Sequence, residues 1–519
     1  MRSSYSVTGI LILFFLLMSI PVMGQENRII VNTDLGETKI SRHIYGHFAE
    51  HLGRCIYGGF WVGEDSEIPN TNGIRNDVVQ ALRALDIPNL RWPGGCFADR
   101  YHWQDGIGPP DERPASINTH WGGVTETNRF GTHEYMELCA QLGCEAYITG
   151  NVGSGTVQEM ADWIEYLTAP GGSQMAELRR QYGREEPWKV PWWGLGNESW
   201  SCGGHMDAEY YASLMRRYST FALNYGGNSL YKIATGPYGG NYHWTETLME
   251  DKTTRRMMDG IALHYYTLPR GWDNMIPATD FTEQEWFLTF RETLKMEEYI
   301  TGHSRIMDRY DPQGQIGLIV DEWGVWHRAE PGTNRRFLYQ QNSLLDAVAA
   351  AVNLNIFNNH ARRVKMANIA QTVNVLQSML LTKDAEMVKT PTYHIFNMYK
   401  VHHDAILLPA HSEIAQYEME GESIPSVSVS ASLDQTGRMH ISLANMRHDS
   451  SMSLQCELRG DFAPGNVTGE ILTHSEMTAH NTFESPDRVV PEPFTDFTLS
   501  GKSVLVQLPA RSVVVLEIE

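Results

Sequence analysis

The sequence predicts an α/β fold in which a (β/α)8 TIM barrel is followed by an antiparallel, jelly-roll-like β-sandwich. Eight short apolar runs alternate with segments whose apolar residues recur about every 3.6 positions, the pattern of strands alternating with helices. From about residue 405 the pattern changes to period-two alternation, with turn residues between short runs. Two glutamates, Glu198 and Glu322, each close one of the apolar runs, which indicates where function lies.

The predicted barrel strands are the eight apolar or aromatic runs. They cover residues 44–50, 89–92, 145–151, 192–198, 231–236, 259–266, 316–322 and 366–374. Helices are predicted between them at residues 76–85, 132–142, 157–167, 208–223, 283–301 and 338–353, and a long loop at 168–187. Because parallel barrel strands all end at one face, functional side chains are expected at the ends of these runs.

The C-terminal part reads as short strands of a sandwich. Period-two runs at residues 426–430, 440–443, 453–457 and 503–508 precede a β-branched run at 512–516, and the proline-rich stretch 484–494 reads as a loop. An isolated strand at 28–32 has no place in the barrel, so it is predicted to complete the sandwich. The predicted domains are therefore an N-terminal strand segment at 25–43, the barrel at 44–404 and the sandwich at 405–519.

Residues 1–24 have the pattern of a secretory signal peptide. Arg2 precedes an apolar run at 10–20, and the small residues Val22 and Gly24 suit a signal peptidase. A membrane anchor is the alternative, but the run is short of the about 20 apolar residues that a bilayer span needs. The sequence thus predicts an exported protein, periplasmic or secreted, with no membrane contact after cleavage.

The charge of the chain restricts its partners. A formal net charge of −21 repels polyanions, so nucleic acid is excluded and a neutral or weakly charged substrate is expected. The 14 tryptophans and 23 tyrosines are compatible with sugar stacking, although most aromatic residues of a large chain belong to its core.

The two glutamates are the strongest functional signal. An ionised carboxylate at the end of a buried run is costly unless it is partnered or used. Two of them at the mouth of a barrel predict an acid/base and nucleophile pair, as in glycosidases. The alternative is a pair of salt-bridged surface acids, but both are flanked by aromatic and polar residues and not by lysines.

Other strand ends supply polar groups that could support this pair. Arg91, His264 and Tyr266 could keep Glu322 charged, and Asn197 could bind a substrate hydroxyl. A salt bridge at the barrel rim is an equal alternative for Arg91. A core histidine is the alternative for His264.

The six cysteines form no metal-ligand pattern, and the predicted chemistry requires no cofactor. Cys96 and Cys202 each follow a predicted strand end, so a disulfide could form if their loops meet. We expect unbridged thiols, because a barrel of this size does not need a covalent cross-link.

Six motifs together resemble glycoside hydrolase family 51 α-L-arabinofuranosidases from about residue 44 to the C-terminus. They are AEHLGRCIYGG at 49–59, LRWPGGCF at 90–97, GNE at 196–198, HYY at 264–266, DEWGVW at 321–326 and AQTVN at 370–374. The resemblance implies that Glu198 is the acid/base and Glu322 the nucleophile of a retaining enzyme. It also implies ring contacts, with Trp326 as a platform, from Glu50, Arg91, Asn197, His264, Tyr266 and Gln371. Cys96 stands where many members have asparagine, and is included in the predicted ring site.

The resemblance predicts an exo-acting enzyme that releases arabinose from plant arabinan, arabinoxylan or derived oligosaccharides. It also implies assembly into a homo-oligomer. Two alternatives stay open on the sequence alone. An endo-acting glucanase or xylanase could use the same barrel, since fold does not fix substrate. A non-catalytic carbohydrate-binding protein is the other, and the intact glutamate pair counts against it.

Overall fold

The computed structural model describes residues 27–519, so the predicted signal peptide lies outside the described residues. Eight parallel strands close into a barrel, as predicted. They are called barrel strands 1 to 8 and cover Gly46–Phe48, Asn89–Trp92, Glu145–Gly150, Trp192–Leu195, Tyr231–Ala234, Gly260–Thr267, Gly317–Val325 and Val364–Ile369.

Helices surround the barrel because their apolar faces pack on the outward side chains of the strands. They cover Asn76–Ala84, Thr132–Leu142, Val157–Thr168, Gln174–Gln181, Ala208–Phe221, Tyr242–Glu250, Lys252–Arg255, Glu283–Thr293, Lys295–Tyr310, Leu344–Asn359 and Pro391–Tyr399. Within residues 27–519, no helix has the length and apolarity needed to cross a membrane.

Three helix predictions differ from the structure. The predicted loop 168–187 contains a helix, begun by Ser173, whose side chain accepts a hydrogen bond from the backbone of Ala176. The predicted helix 338–353 begins only at Leu344, because Leu338 has a left-handed backbone with φ of 50°. The predicted helix 283–301 is two helices, which meet at Leu294.

The C-terminal part is a sandwich of two sheets. One sheet has five strands in the order Ala410–Glu413, Arg28–Asn32, Met452–Arg459, Ser503–Leu508 and Phe497–Ser500. The other has six, in the order Ile406–Leu408, Val427–Leu433, Met439–Asn445, Ser512–Ile518, Val467–Leu472 and Glu492–Pro493. The strand Arg28–Asn32 pairs in parallel with Met452–Arg459, while the other pairs of the sandwich are antiparallel.

The sandwich has an apolar core of its own, but it also packs on the barrel. Leu472, Ala479 and Val513 of the sandwich belong to the same buried cluster as the barrel strands and their surrounding helices. The sandwich segment 473–491 also reaches the barrel, where Ala479 accepts a hydrogen bond from the backbone of Leu344. The position of the barrel mouth is therefore fixed relative to the sandwich.

Candidate active site

A cavity of about 310 Å³ opens at the C-terminal ends of the barrel strands. Function is expected at this end of a TIM barrel, and both glutamates predicted from the sequence lie in the cavity. Its walls are made by Glu50, Gly95, Cys96, Trp121, Glu198, Trp200, Ser201, Tyr238, Tyr266, Trp272, Glu322 and Trp326.

Glu322 lies in barrel strand 7 and is held from two sides. Arg91 of barrel strand 2 donates from Nη1 to Glu322 Oε1 at 2.8 Å, and the Tyr266 hydroxyl donates to Oε2 at 3.0 Å. The same guanidinium donates from Nη2 to the side-chain oxygen of Asn197 at 2.6 Å. Both carboxylate oxygens of Glu322 therefore accept a hydrogen bond, one of them from a buried guanidinium.

Glu198 follows the end of barrel strand 4 by three residues and has a left-handed backbone with φ of 40°. A non-glycine residue in that region is strained, so neighbouring contacts must hold it there. The buried Asp99 does so, because one of its carboxylate oxygens accepts from the backbone N–H of Asn197 at 2.7 Å. The other oxygen accepts from Val152 at 2.7 Å and Gly153 at 2.8 Å, which ties three loops together.

His264 of barrel strand 6 connects the two glutamates. Its Nδ1 lies 3.0 Å from Glu198 Oε1 and 3.5 Å from Glu322 Oε2, while Nε2 lies 3.1 Å from Asp321 Oδ1. Burial alone would lower the pKa of His264, but the three surrounding carboxylates outweigh it and raise the pKa to about 10. The imidazole is therefore a cation at neutral pH, and both of its nitrogens donate.

The surroundings of Glu198 raise its pKa, as a general acid requires. Burial raises the pKa of Glu198, and the negative charge of Glu322 adds to the rise, although the hydrogen bond from His264 opposes it. One carboxylate oxygen of Glu198 and one of Glu322 lie within 4.8 Å of each other. Carboxyl groups about 5 Å apart are typical of retaining glycosidases, whereas inverting enzymes separate them by about 6.5–9.5 Å.

Asp321 joins the site although it is adjacent to Glu322. Neighbouring residues of a regular strand point to opposite faces, but the register of barrel strand 7 shifts between Val320 and Trp323. Asp321 accepts from the Tyr147 hydroxyl at 2.6 Å and lies 3.5 Å from the Arg91 guanidinium. Burial works against its ionisation, but Arg91 and His264 outweigh it and lower the pKa of Asp321.

A third carboxyl group, that of the buried Glu50, lies in the wall of the cavity. Glu50 accepts hydrogen bonds from Gln371 Nε2 at 2.6 Å, Trp121 Nε1 at 2.8 Å and the backbone of Phe97 at 3.2 Å. Burial and the nearby charge of Glu322 raise the pKa of Glu50 to about 7. It can therefore donate or accept a hydrogen bond with a sugar hydroxyl near neutral pH.

Cys96 and Cys202 form a disulfide, so the expectation of unbridged thiols was wrong. The loop after barrel strand 2 and the loop that carries Glu198 meet at the cavity, which the sequence could not reveal. Cys202 Sγ lies 3.5 Å from Glu198 Oε2. The cross-link therefore lies beside one of the two central carboxylates and joins two of the three loops that Asp99 holds together.

Two groups of side chains within residues 27–519 have the spacing of metal ligands. They are Cys96, Glu198 and Cys202, and Glu198, His264 and Glu322. The sulfurs of the first group are bonded to each other, and both ring nitrogens of His264 face carboxylates.

The structure brings together all ten site residues predicted from the sequence. Glu50, Cys96, Glu198, Tyr266, Glu322 and Trp326 line the cavity, and Arg91, Asn197, His264 and Gln371 bond to them or to each other. Sequence reasoning did not assign Trp121, Trp200, Ser201, Tyr238 and Trp272 to the cavity, nor Asp321 and Asp99 to its support. Trp121 and Trp272 are aromatic residues in polar loops that follow barrel strands. This position was the available sequence signal that they line the cavity.

A TIM barrel with two carboxylates this close at its C-terminal mouth is a glycoside hydrolase by architecture and by site. Two family models match the chain: the α-L-arabinofuranosidase 1 domain over residues 81–284 and the α-L-arabinofuranosidase C-terminal domain over residues 321–512. The chain is 50% identical over 508 residues to an intracellular exo-α-L-arabinofuranosidase of Bacteroides ovatus, covering 97% of this chain and 98% of that one.

Solved structures agree with this match. A family 51 arabinofuranosidase from Xanthomonas axonopodis pv. citri superposes with a TM-score of 0.94 at 49% identity, covering 95% of this chain and all of that one. The α-L-arabinofuranosidase of Thermotoga maritima in complex with arabinose gives 0.84 at 32% identity, with the same coverage. The chain belongs to the α-L-arabinofuranosidases of glycoside hydrolase family 51, and its predicted fold class is confirmed.

The comparisons also correct one expectation. Export was predicted from residues 1–24, but the Bacteroides ovatus relative is named intracellular and matches 97% of this chain. The prediction of an exported protein is therefore wrong by this comparison. Neither an endo-acting glucanase or xylanase nor a non-catalytic binding protein is favoured by these relatives.

Proposed function

We propose that this chain is an exo-acting, retaining α-L-arabinofuranosidase that releases arabinose from plant arabinan, arabinoxylan or oligosaccharides derived from them. The observation that carries the proposal is the separation of Glu198 and Glu322, whose closest carboxylate oxygens are within 4.8 Å. At that separation a carboxylate can attack the anomeric carbon directly, and no water fits between the carboxylates and the sugar. The arabinose in the related Thermotoga maritima structure supports the choice of sugar.

In the proposed mechanism Glu198 begins as the acid and Glu322 as the nucleophile. Glu198 protonates the glycosidic oxygen while Glu322 attacks the anomeric carbon, so the leaving group departs and a glycosyl-enzyme forms. Glu198, now a carboxylate, removes a proton from water, which attacks the same carbon and releases Glu322. Two inversions at one carbon give net retention of configuration.

The supporting residues have roles that follow from their bonds. Arg91 and Tyr266 orient the Glu322 carboxylate for attack. Asn197, fixed by Arg91, can bind a ring hydroxyl, and Glu50 with Gln371 can bind another. The active-site cavity has a volume of only about 310 Å³, which supports an exo-acting enzyme that takes one terminal ring.

Purified protein should hydrolyse 4-nitrophenyl α-L-arabinofuranoside and release free arabinose from arabinan and arabinoxylan. Proton NMR recorded before mutarotation should show the α anomer of the released arabinose, because a retaining enzyme keeps the configuration of its α-linked substrate. The matching β-D-xylopyranoside should be a poor substrate. Initial release of the β anomer, or of long oligosaccharides from the polymer, would overturn the proposal.

The family resemblance also supports a homo-oligomer. Light scattering of the eluting peak in size-exclusion chromatography tests this, and a mass near the 58.8 kDa of one chain would contradict it.

A further inference from the structure

A second cavity, of about 440 Å³, lies beside the active-site cavity and shares the indoles of Trp272 and Trp326 as a common wall. The two rings meet edge to face with centroids 5.0 Å apart. Trp326 in turn contacts Tyr266, which bonds to Glu322. A glycan that leaves the active-site cavity past these rings therefore enters the second cavity, which is the larger of the two and has room for a further sugar ring.

The second cavity lies between the loops that follow barrel strands 6 and 7. Backbone hydrogen bonds join these loops, from Trp326 to Thr267 at 3.1 Å and from Arg328 to Ile276 at 2.8 Å. The walls of the cavity are thus fixed to the barrel, and the Trp272 side chain is 49% exposed.

The charged groups of the cavity are two arginines and one aspartate. Arg328 and Arg335 are exposed and line the cavity together with Asp273 and Asn274. Within the described part of the chain, neither guanidinium has a carboxylate partner or a side-chain hydrogen bond. The cavity therefore has an excess of positive charge in a protein whose formal net charge is −21.

We propose that this cavity binds a uronic acid residue of the glycan on the leaving-group side, an inference that rests on the proposed function. A guanidinium presents parallel N–H donors that match a carboxylate, and an indole face binds the apolar face of a sugar ring. The preferred substrates are arabinosylated glycans with a uronate next to the arabinose-bearing sugar. Arg328 and Arg335 select them by binding the carboxylate.

The test uses two arabinofuranosyl oligosaccharides that differ in one group: one carries a uronate on the leaving-group side and the other is its carboxyl-reduced form. At low ionic strength, kcat/KM of the wild type should be about three- to tenfold higher for the uronate, since exposed charge pairs are individually weak. The ratio should fall in about 0.5 M salt, because salt weakens exposed ion pairs. A ratio of one at low salt overturns the proposal.

Three variants identify the groups responsible. Arg328→Gln and Arg335→Gln should each lower the ratio of kcat/KM for the uronate to kcat/KM for the reduced substrate, while the value for the reduced substrate stays unchanged. Asp273→Asn should raise this ratio. Arg305→Gln removes the same charge from an exposed site on helix Lys295–Tyr310 and should leave the ratio as in wild type. An equal loss on both substrates in the cavity variants would overturn the assignment.

A binding measurement separates this proposal from the arabinofuranosidase function. Calorimetric titration of the full chain with the uronate-bearing leaving group alone should show tighter binding than its carboxyl-reduced form. Turnover of neither arabinoside would contradict the proposed function. Equal binding of the two leaving groups would contradict the uronate site, whatever the turnover.

Discussion

Arg91 Nη1 donates a hydrogen bond to Glu322 Oε1 at 2.8 Å, and both side chains are buried, with exposures of 1% and 7%. The same guanidinium donates to Asn197, so one residue orients both a carboxylate and the amide that we propose binds the ring. We expect Arg91→Lys to fold and to lower kcat about 100-fold, because an ammonium cannot make both bonds in this geometry. Steady-state kinetics and thermal unfolding check this.

Arg83→Lys is the matched control, because Arg83 is exposed on helix Asn76–Ala84. It should leave kcat unchanged. If Arg91→Lys also stays within twofold of wild type, the orienting role of Arg91 is wrong.

For Glu322→Ala we expect a loss of turnover of more than about 10⁴-fold with a normal fold, because the nucleophile is removed. A 2-fluoro arabinofuranoside with a good leaving group should add one glycosyl unit to wild type, and peptide mapping should place it on Glu322. Glu298→Ala removes an exposed glutamate and should still be labelled. An adduct on any other residue contradicts the assignment.

Glu198→Ala should lower activity on substrates with poor leaving groups much more than on substrates with good leaving groups. Activity on an arabino-oligosaccharide should collapse, because an alkoxide leaves only with a proton, while an activated aryl arabinofuranoside should still form the intermediate. Azide should then accelerate release and give an arabinosyl azide of retained configuration, detectable by mass spectrometry and NMR. Equal losses on both substrates without azide rescue would exclude the acid/base role.

The pH profile should report the charge of His264. Because burial raises the pKa of Glu198, its acid form persists above the range of a free glutamate, and kcat/KM should fall on the alkaline side as that proton is lost. The hydrogen bond and the charge of His264 lower the pKa of Glu198, so His264→Gln should move this limb to higher pH. His411→Gln, an exposed change in the sandwich, should not move it. A shift to lower pH in His264→Gln would contradict the electrostatic argument.

The thiol count tests the disulfide. Denatured, unreduced protein should show four free thiols from its six cysteines, Cys55, Cys139, Cys144 and Cys456. Cys96→Ser should raise the count to five by freeing Cys202, and lower the melting temperature, since a cross-link across 106 residues contributes up to about 4–5 kcal/mol. Cys456→Ser, in contrast, should lower the count to three. Six thiols in wild type would show that the bond is absent.

Most of the barrel could be predicted because its signals are local. The strand Asn89–Trp92 and the helix Thr132–Leu142 have the predicted bounds, since each is an apolar pattern interrupted by turn residues. Glu198 and Glu322 could be predicted for the same reason, because a carboxylate at the end of an apolar run needs an explanation that packing does not provide.

The features that were missed depend on contacts between distant loops. Trp121 reaches Glu50 from the hairpin formed by Ser116–Asn118 and Val124–Glu126, and no local pattern indicates where that hairpin folds. Asp321 was missed because regular alternation would turn it away from Glu322, and the shift in register has no sequence signal that we recognised. The disulfide between Cys96 and Cys202 likewise required knowing that two loops meet.

The sandwich has a core of its own and, in addition, a set of apolar side chains that pack on the barrel. Leu472, Ala479 and Val513 pack with the barrel cluster, so a cut near residue 405 would leave apolar side chains of both pieces facing water. The sandwich is thus an integral part of the folded enzyme and not an independently attached domain. A fragment that keeps both sheets of the sandwich complete must include the strand Arg28–Asn32 at one end and the strand Ser512–Ile518 at the other.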